Sequence, residues 1–334
     1  MSEDWQRQVF ETVEMHTGGE PVRIITGLMD SIFGDDILAK RRDMQRRLDG
    51  VRRLLMFEPR GHHDMYGAVL VRPSLAGADL AVLFIHNEGY STMCGHAVIA
   101  LARYAVDHGL VPVSGPCTRV GIECPCGLVY AQVGSDGSVS FDSVPAFALA
   151  LDHRVSVPGV GEVSVDIGYG GAFYAVTDAA CLGVSLDGRV RDLVDAASAL
   201  SEAVRRSIRV RHPAAEDLGF LYGSILTDGR ERAGDGISRN VCVFADAEVD
   251  RSPTGSGVTA RMALRHARNQ VAVGEDCVFE SLTGARFAVS VTGEVPLDGH
   301  QAVTVRVSGR ACYSGRACWS LEPEDEIGRG FLLR

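Results

Sequence analysis

The feature that most constrains this chain is an internal echo. Cys94-Gly95-His96-Ala97-Val98-Ile99-Ala100 aligns with Thr254-Gly255-Ser256-Gly257-Val258-Thr259-Ala260, and Gly, Val and Ala match in register. Each copy sets a reactive-type side chain at the start of a helical pattern, with glycine directly after it. The copies lie 160 residues apart in a chain of 334 residues. At roughly 100–200 residues per domain, that length suggests two domains. The echo therefore points to two related halves, each offering a helix N-terminus to a shared cleft.

The remaining pattern is rich in strands and has few helices. Alternation places strands at 9–13, 22–25, 80–86, 118–123, 128–133 and 139–144. Ile37, Leu38, Met44, Leu48, Val51 and Leu55 fall at helical spacing and predict one helix over 36–57. A second helix is expected over 94–108, carrying the first copy of the echo. A domain boundary is placed at 147–153, where one strand series ends and another starts at Val155. The second series holds strands at 221–227, 240–245, 287–291 and 302–307, with helices at 192–208 and 257–268. The first lobe is thus read as 1–147, with 310–334 returning to it, and the second as 148–309. The expected class is α+β: two sheets, each with a central helix.

Charge and composition narrow the function. Lys and Arg total 33 against 43 Asp and Glu, a net charge of −10. Such a chain lacks the diffuse positive field that nucleic acid or an anionic membrane requires, and aromatics at 7% offer no platform for stacked bases. The start, Met1-Ser2-Glu3-Asp4-Trp5, carries acids where a signal peptide carries Lys or Arg. The apolar run 81–85 is far shorter than the ~20 residues that span a bilayer. Nine scattered cysteines do not form a secreted disulfide pattern. A cytoplasmic protein is expected, with thiols that are either core filler or chemistry. Lys40, Arg41, Arg42, Arg46, Arg47, Arg52 and Arg53 share one helix face. They read as a solvated face in preference to a binding patch, given the acidic chain.

The two helix starts carry the chemistry. Unpaired N–H groups and the positive end of the dipole suit a carboxylate there, and glycine lets a ligand approach the backbone. A cysteine in that position has a stabilised thiolate and can act as nucleophile or general base. This singles out Cys94. His96 could contact a ligand or cap the helix; the sequence does not separate these. Cys124-Pro125-Cys126 is spaced too tightly for a CxxC pair, Cys312 and Cys318 lack a metal-type partner cluster, and adjacent His62-His63 do not face one ligand. No Walker lysine pattern is present, and Gly255-Ser256-Gly257 does not follow a strand directly. No metal and no organic cofactor are expected.

Met93-Cys94-Gly95-His96 together with Asp250-Arg251-Ser252-Pro253-Thr254-Gly255-Ser256-Gly257 resembles the proline racemase family. Met15-His16-Thr17-Gly18-Gly19-Glu20-Pro21-Val22-Arg23, Glu58-Pro59-Arg60-Gly61 and Asn87-Glu88-Gly89-Tyr90 support this, so the resemblance spans nearly the whole chain. It implies a cofactor-independent enzyme acting at Cα of proline-type imino acids. It also implies the diaminopimelate epimerase-like fold: two similar lobes, each a curved sheet around a central helix, with the active site in the cleft between them. By the same resemblance Gly95 and His96 form the first substrate-binding pair and Gly255 and Ser256 the second, while Asp250 holds the ring nitrogen.

The chain departs from the racemase pattern at one position. Racemases and 4-hydroxyproline epimerases of the family carry Cys at both junctions, whereas here the second carries Thr254. Two-base inversion needs a competent acid or base on each face; a Thr hydroxyl offers only hydrogen bonding. One base and one hydroxyl suit β-elimination, and the Cys/Thr combination resembles members that dehydrate trans-3-hydroxy-L-proline to Δ1-pyrroline-2-carboxylate. The expected partner is thus a small imino acid, with room left for a homodimer. The rival readings are a 4-hydroxyproline 2-epimerase or proline racemase working with Thr254, and a non-catalytic imino-acid-binding protein. A Cys94/His96 hydrolase lacks a residue to orient its base.

Overall fold

The structure, a computed structural model, describes residues 4–297 and 299–333. The chain opens with the antiparallel pair β1 (Phe10–Thr17) and β2 (Glu20–Ile25), then α1 (Ile37–Arg47) and α2 (Asp49–Met56). β3 (Gly67–Val71), β4 (Leu80–Ile85), β5 (Tyr90–Ser91), α3 (Gly95–Asp107), β6 (Cys117–Cys124) and β7 (Gly127–Gly134) follow. From β8 (Val139–Asp142) a second strand series begins: β9 (Ala146–Val157), β10 (Gly161–Tyr169) and β11 (Phe173–Asp178). It continues through α4 (Val190–Ser207), β12 (Leu221–Thr227), β13 (Ser238–Phe244), β14 (Glu248–Val249), α5 (Gly255–Ala267), β15 (Asp276–Glu280), β16 (Arg286–Leu297) and β17 (His300–Gly309). The last strand, β18 (Ala311–Trp319), returns to pair antiparallel with β1.

Two compact units result. The first holds the residues up to Thr92, His96–Val139 and those from Arg310 on; the second holds Met93–Gly95 and Ser140–Gly309. In the first, β18, β1, β2, β3, β4, β6 and β7 follow one another as neighbours, with parallel joins at β2–β3 and β4–β6. In the second, β9 pairs with β10, β10 with β11, β11 with β12, β12 with β13, β13 with β15, β15 with β16, β16 with β17, and β17 again with β9. The sheet closes on itself. Closure removes the free edges that an open sheet must protect, and it encloses α5.

Burial explains why α5 is not amphipathic. Every residue from Gly255 to Arg265 is buried, against β9, β10, β16 and β17. A helix surrounded on all sides needs apolar or small residues all round. Gly, Val, Thr, Ala and Met meet that need, and the guanidinium of Arg261, 1% exposed, is met by Glu231 (2.6 Å), Ser238 (2.8 Å) and Asn240 (3.0 Å). α3 is buried likewise from Ala97 to Ala102, each with 0% exposure. By contrast α4 turns only one stripe inward: Leu193, Ala197, Leu200 and Val204 join the core formed by Val165, Phe173, Leu226 and Val243.

Two sequence expectations are corrected. The single helix over 36–57 is two helices, because Leu48 leaves helical geometry (φ −125°, ψ 15°) just before Asp49-Gly50. Glycine weakens a helix interior, and at Gly50 a Cβ would lie 2.2 Å from the Trp5 ring. The basic face is also less solvated than expected. Arg52 is 5% exposed, pairs with Asp49 (2.7 Å) and donates to the carbonyls of His86 (2.8 Å) and Asn87 (2.6 Å). Arg41 donates to Tyr90 O, Arg47 pairs with Asp43, and Lys40 is buried. The face is largely internal fastening of the α1–α2 segment. Residues 147–153 lie within β9, and the two units change over at Val139/Ser140. Among the described residues no helix is long and apolar enough to cross a membrane.

Candidate active site

Cys94, Gly95, Asp250, Thr254, Gly255 and Ser256 all belong to the second unit, although Cys94 and Gly95 are remote from the others in sequence. What joins them is a backbone contact. A Cβ built on Gly95 would lie 2.5 Å from Gly255 Cα, and one built on Gly255 would lie 2.5 Å from Gly95 Cα. The two glycines of the echo touch each other, so neither can be replaced without moving a main chain. Their neighbours Cys94 and Thr254 are 4% and 5% exposed. A second glycine pair closes the site from the β10–β11 connection. A Cβ on Gly170 would meet Ser256 O at 2.2 Å, and one on Gly171 would meet Met93 Cβ at 2.6 Å. Sequence reasoning missed this pair; the Gly-Gly between two strands was its only signal.

Thr254 stands at the N-cap of α5 with φ +69° and ψ +91°. A β-branched residue there is strained, at a cost of order 1–3 kcal/mol, and such strain gathers at functional sites. The preceding turn holds it in place. Asp250 Oδ1 accepts from Ser252 N–H (2.7 Å), Ser252 Oγ accepts from Thr254 N–H (3.1 Å), and Asn240 Nδ2 donates to Pro253 O (3.2 Å). The first bond inside α5 runs from Val258 N–H to Thr254 O (2.7 Å). The N–H groups of Gly255, Ser256 and Gly257 thus have no acceptor within the helix, which suits a carboxylate.

The polar groups around this helix start are buried. Asp250 is 3% exposed, and burial pushes its pKa up to about 6 against the pull of Ser252 and Thr254. A buried carboxylate of that kind gains most from a cationic partner. Thr254 Oγ1 is close enough to weigh on that carboxyl, yet it makes no hydrogen bond of good geometry. Tyr174 Oη lies 2.7 Å from Ser256 Oγ, and burial, then Cys242, Asp250 and Cys94, hold its proton well above the usual phenol range. Tyr174 too was missed, since nothing local in its strand marks it.

His96 falls in the first unit. Its carbonyl accepts from Thr17 Oγ1 (2.8 Å), and its ring lies edge-on to Tyr66 at 4.9 Å. Burial pulls its pKa down to about 3 despite a hydrogen bond to the Pro21 carbonyl, so the imidazole is neutral at pH 7 and donates to that carbonyl. Cys124 and Cys126 belong to the first unit, and burial pushes the Cys126 thiol up to about 12. Cys312 and Cys318 are exposed, and His63 lies 3.1 Å from Asn87 Nδ2. Among the described residues no group of three His, Cys, Asp or Glu is placed to hold a metal ion.

The comparisons agree with this geometry. Residues 12–332 match the family model described as proline racemase. A human trans-3-hydroxy-L-proline dehydratase is 53% identical over 336 residues, covering 98% of this chain and 95% of the relative. A protein of the same description from Colwellia psychrerythraea is 44% identical, covering 99% and 97%. Among solved structures, a hydroxyproline epimerase from Agrobacterium vitis with bound trans-4-hydroxy-L-proline aligns with a TM-score of 0.92 at 27% identity, covering 98% of this chain and 96% of that one. The fold is thus the two-lobed α+β fold of these enzymes, and the chain belongs to the proline racemase family.

Proposed function

We propose that this protein dehydrates trans-3-hydroxy-L-proline to Δ1-pyrroline-2-carboxylate, with Cys94 as the base. The observation that carries the reading is the unequal pair at the touching helix starts, a thiol before Gly95 and a hydroxyl before Gly255, in a chain 53% identical to a dehydratase. The substrate carboxylate is taken by the N–H groups at the start of α5, and the ring ammonium by Asp250. Loss of the Cα proton places charge on the carboxylate oxygens, where those donors strengthen their hold.

Substrate stereochemistry explains why one thiol suffices. In the trans isomer the 3-hydroxyl is opposite the carboxylate, so the Cα hydrogen and the hydroxyl share a face. The Cys94 thiolate takes the Cα proton, the electron pair forms the C2=C3 bond, and the C3–O bond breaks. The departing hydroxyl takes the proton back from the Cys94 thiol and leaves as water, restoring the thiolate. The enamine then gains a proton at C3 and loses one from nitrogen to give the imine. Thr254, on the other face, is far too weak an acid to deliver a proton, and the ring is not inverted. The protein is incubated with trans- and cis-3-hydroxy-L-proline, and the imine is followed by NMR. The trans isomer is expected to lose water and the cis isomer to do so at least about 100-fold more slowly, the lower range for a misplaced acid–base group. Equal turnover of both isomers, or none of the trans isomer, contradicts the reading.

A further inference from the structure

Tyr174 has no part in the chemistry above, yet its hydroxyl is bonded directly to a residue of the α5 start. The side chain is 1% exposed. Its ring meets Tyr222 edge-on at 5.9 Å, and Tyr222 stacks on Phe244 at 5.1 Å. These rings on β11, β12 and β13 form a packed row that ends at the phenol ring of Tyr174. Its oxygen lies 2.7 Å from Ser256 Oγ, one residue into α5 and next to the glycine that touches Gly95.

Two hydroxyls at that distance make one hydrogen bond, and either can be its donor. If Ser256 donates to Tyr174, Ser256 turns its lone pairs outward, against an anion at the helix start. If Tyr174 donates to Ser256, the Ser256 proton is available to that anion. Burial and the surrounding Cys242, Asp250 and Cys94 oppose ionisation of the phenol, so its proton stays in place. We propose that Tyr174 is a positioning residue: it donates to Ser256 Oγ and thereby aims the Ser256 hydroxyl at the substrate carboxylate. The proposal rests on the dehydratase reading for its substrate. Chained donors polarise one another, and the carboxylate gains charge as the Cα proton leaves, so the bond tightens in the transition state more than in the bound substrate.

The test is a cycle of Tyr174→Phe, Ser256→Ala and the double variant, read as kcat and KM for trans-3-hydroxy-L-proline. Tyr174→Phe keeps the ring packing and is expected to lower kcat about tenfold, the worth of roughly one hydrogen bond, with KM moved much less. Ser256→Ala is expected to do the same, and the double variant to be no worse than the larger single loss. Wild-type kcat in Tyr174→Phe, or losses that multiply in the double variant, overturns the inference. Where Tyr174→Phe does not fold, Ser256→Ala decides alone, since an unchanged kcat there overturns the inference as well. Wild-type protein that forms no imine counts against the dehydratase reading; an active wild type with unaffected variants counts against Tyr174 only.

Discussion

A thiol titrates near ~8.5 in a model peptide and lower at a helix N-terminus, whereas a threonine hydroxyl gives and takes hydrogen bonds only. Cys94 and Thr254 share a glycine contact and near-complete burial, so their difference is chemical. Cys94→Ala should lower kcat by about 10²–10⁴, the range for a lost acid–base group. Cys124→Ala and Cys318→Ala, both in the first unit, should stay within a few-fold. Steady-state assays check all three. Thr254→Cys restores a thiol on the second face and should gain slow epimerisation of trans-4-hydroxy-L-proline, seen by chiral chromatography; a variant with none would show that the second residue does not set the reaction type. Asp250 gives a stability signature. Its folded pKa of about 6 lies above the usual carboxylate value of 3.8, so the folded state resists its ionisation. The cost is complete above pH 6, shrinks as pH falls through 6 towards 3.8, and is absent below. Asp250→Asn should therefore raise the thermal midpoint at pH 8, by less at pH 5, while KM rises sharply. A lower midpoint at pH 8 would contradict this.

At the scale of elements, the echo was legible because a main-chain contact dictates it. Gly95 and Gly255 lie within van der Waals reach of one another's Cα, and no other residue type fits. Ala at either position overpacks the junction, with a cost of at least about 2 kcal/mol and a fall in activity. Gly27→Ala, with nothing within 4 Å, should be silent. Urea unfolding of the three variants compares them, and an unchanged Gly255→Ala would remove the contact from the account. Tyr174, Gly170 and Gly171 were not legible, since their importance arises only when β10 and β11 close against α5, far along the chain. The broken helix was missed for a related reason. Apolar spacing continues through Leu48, while the break is set by Asp49-Gly50 and by Trp5, more than forty residues earlier.

For the whole molecule, the alternating pattern gave α+β and the two strand series, but it could not show how the second series ends. Closure of β17 onto β9 depends on the pairing of Ala302 with Phe147 and Val303 with Ala146, across nearly the whole of that unit's sequence. That closure buries α5 and fixes Thr254 at its strained N-cap. The central claim is that one thiol and one hydroxyl make this member of the family an eliminating enzyme, not an inverting one. The most direct measurement is a ¹H NMR time course in D₂O after dialysis against EDTA. Trans-3-hydroxy-L-proline, trans-4-hydroxy-L-proline and L-proline are each given to the wild-type protein. The account expects the 3-hydroxy substrate to lose water to the imine, with neither of the others inverted at Cα. Inversion of trans-4-hydroxy-L-proline or proline without dehydration of the 3-hydroxy substrate would contradict it.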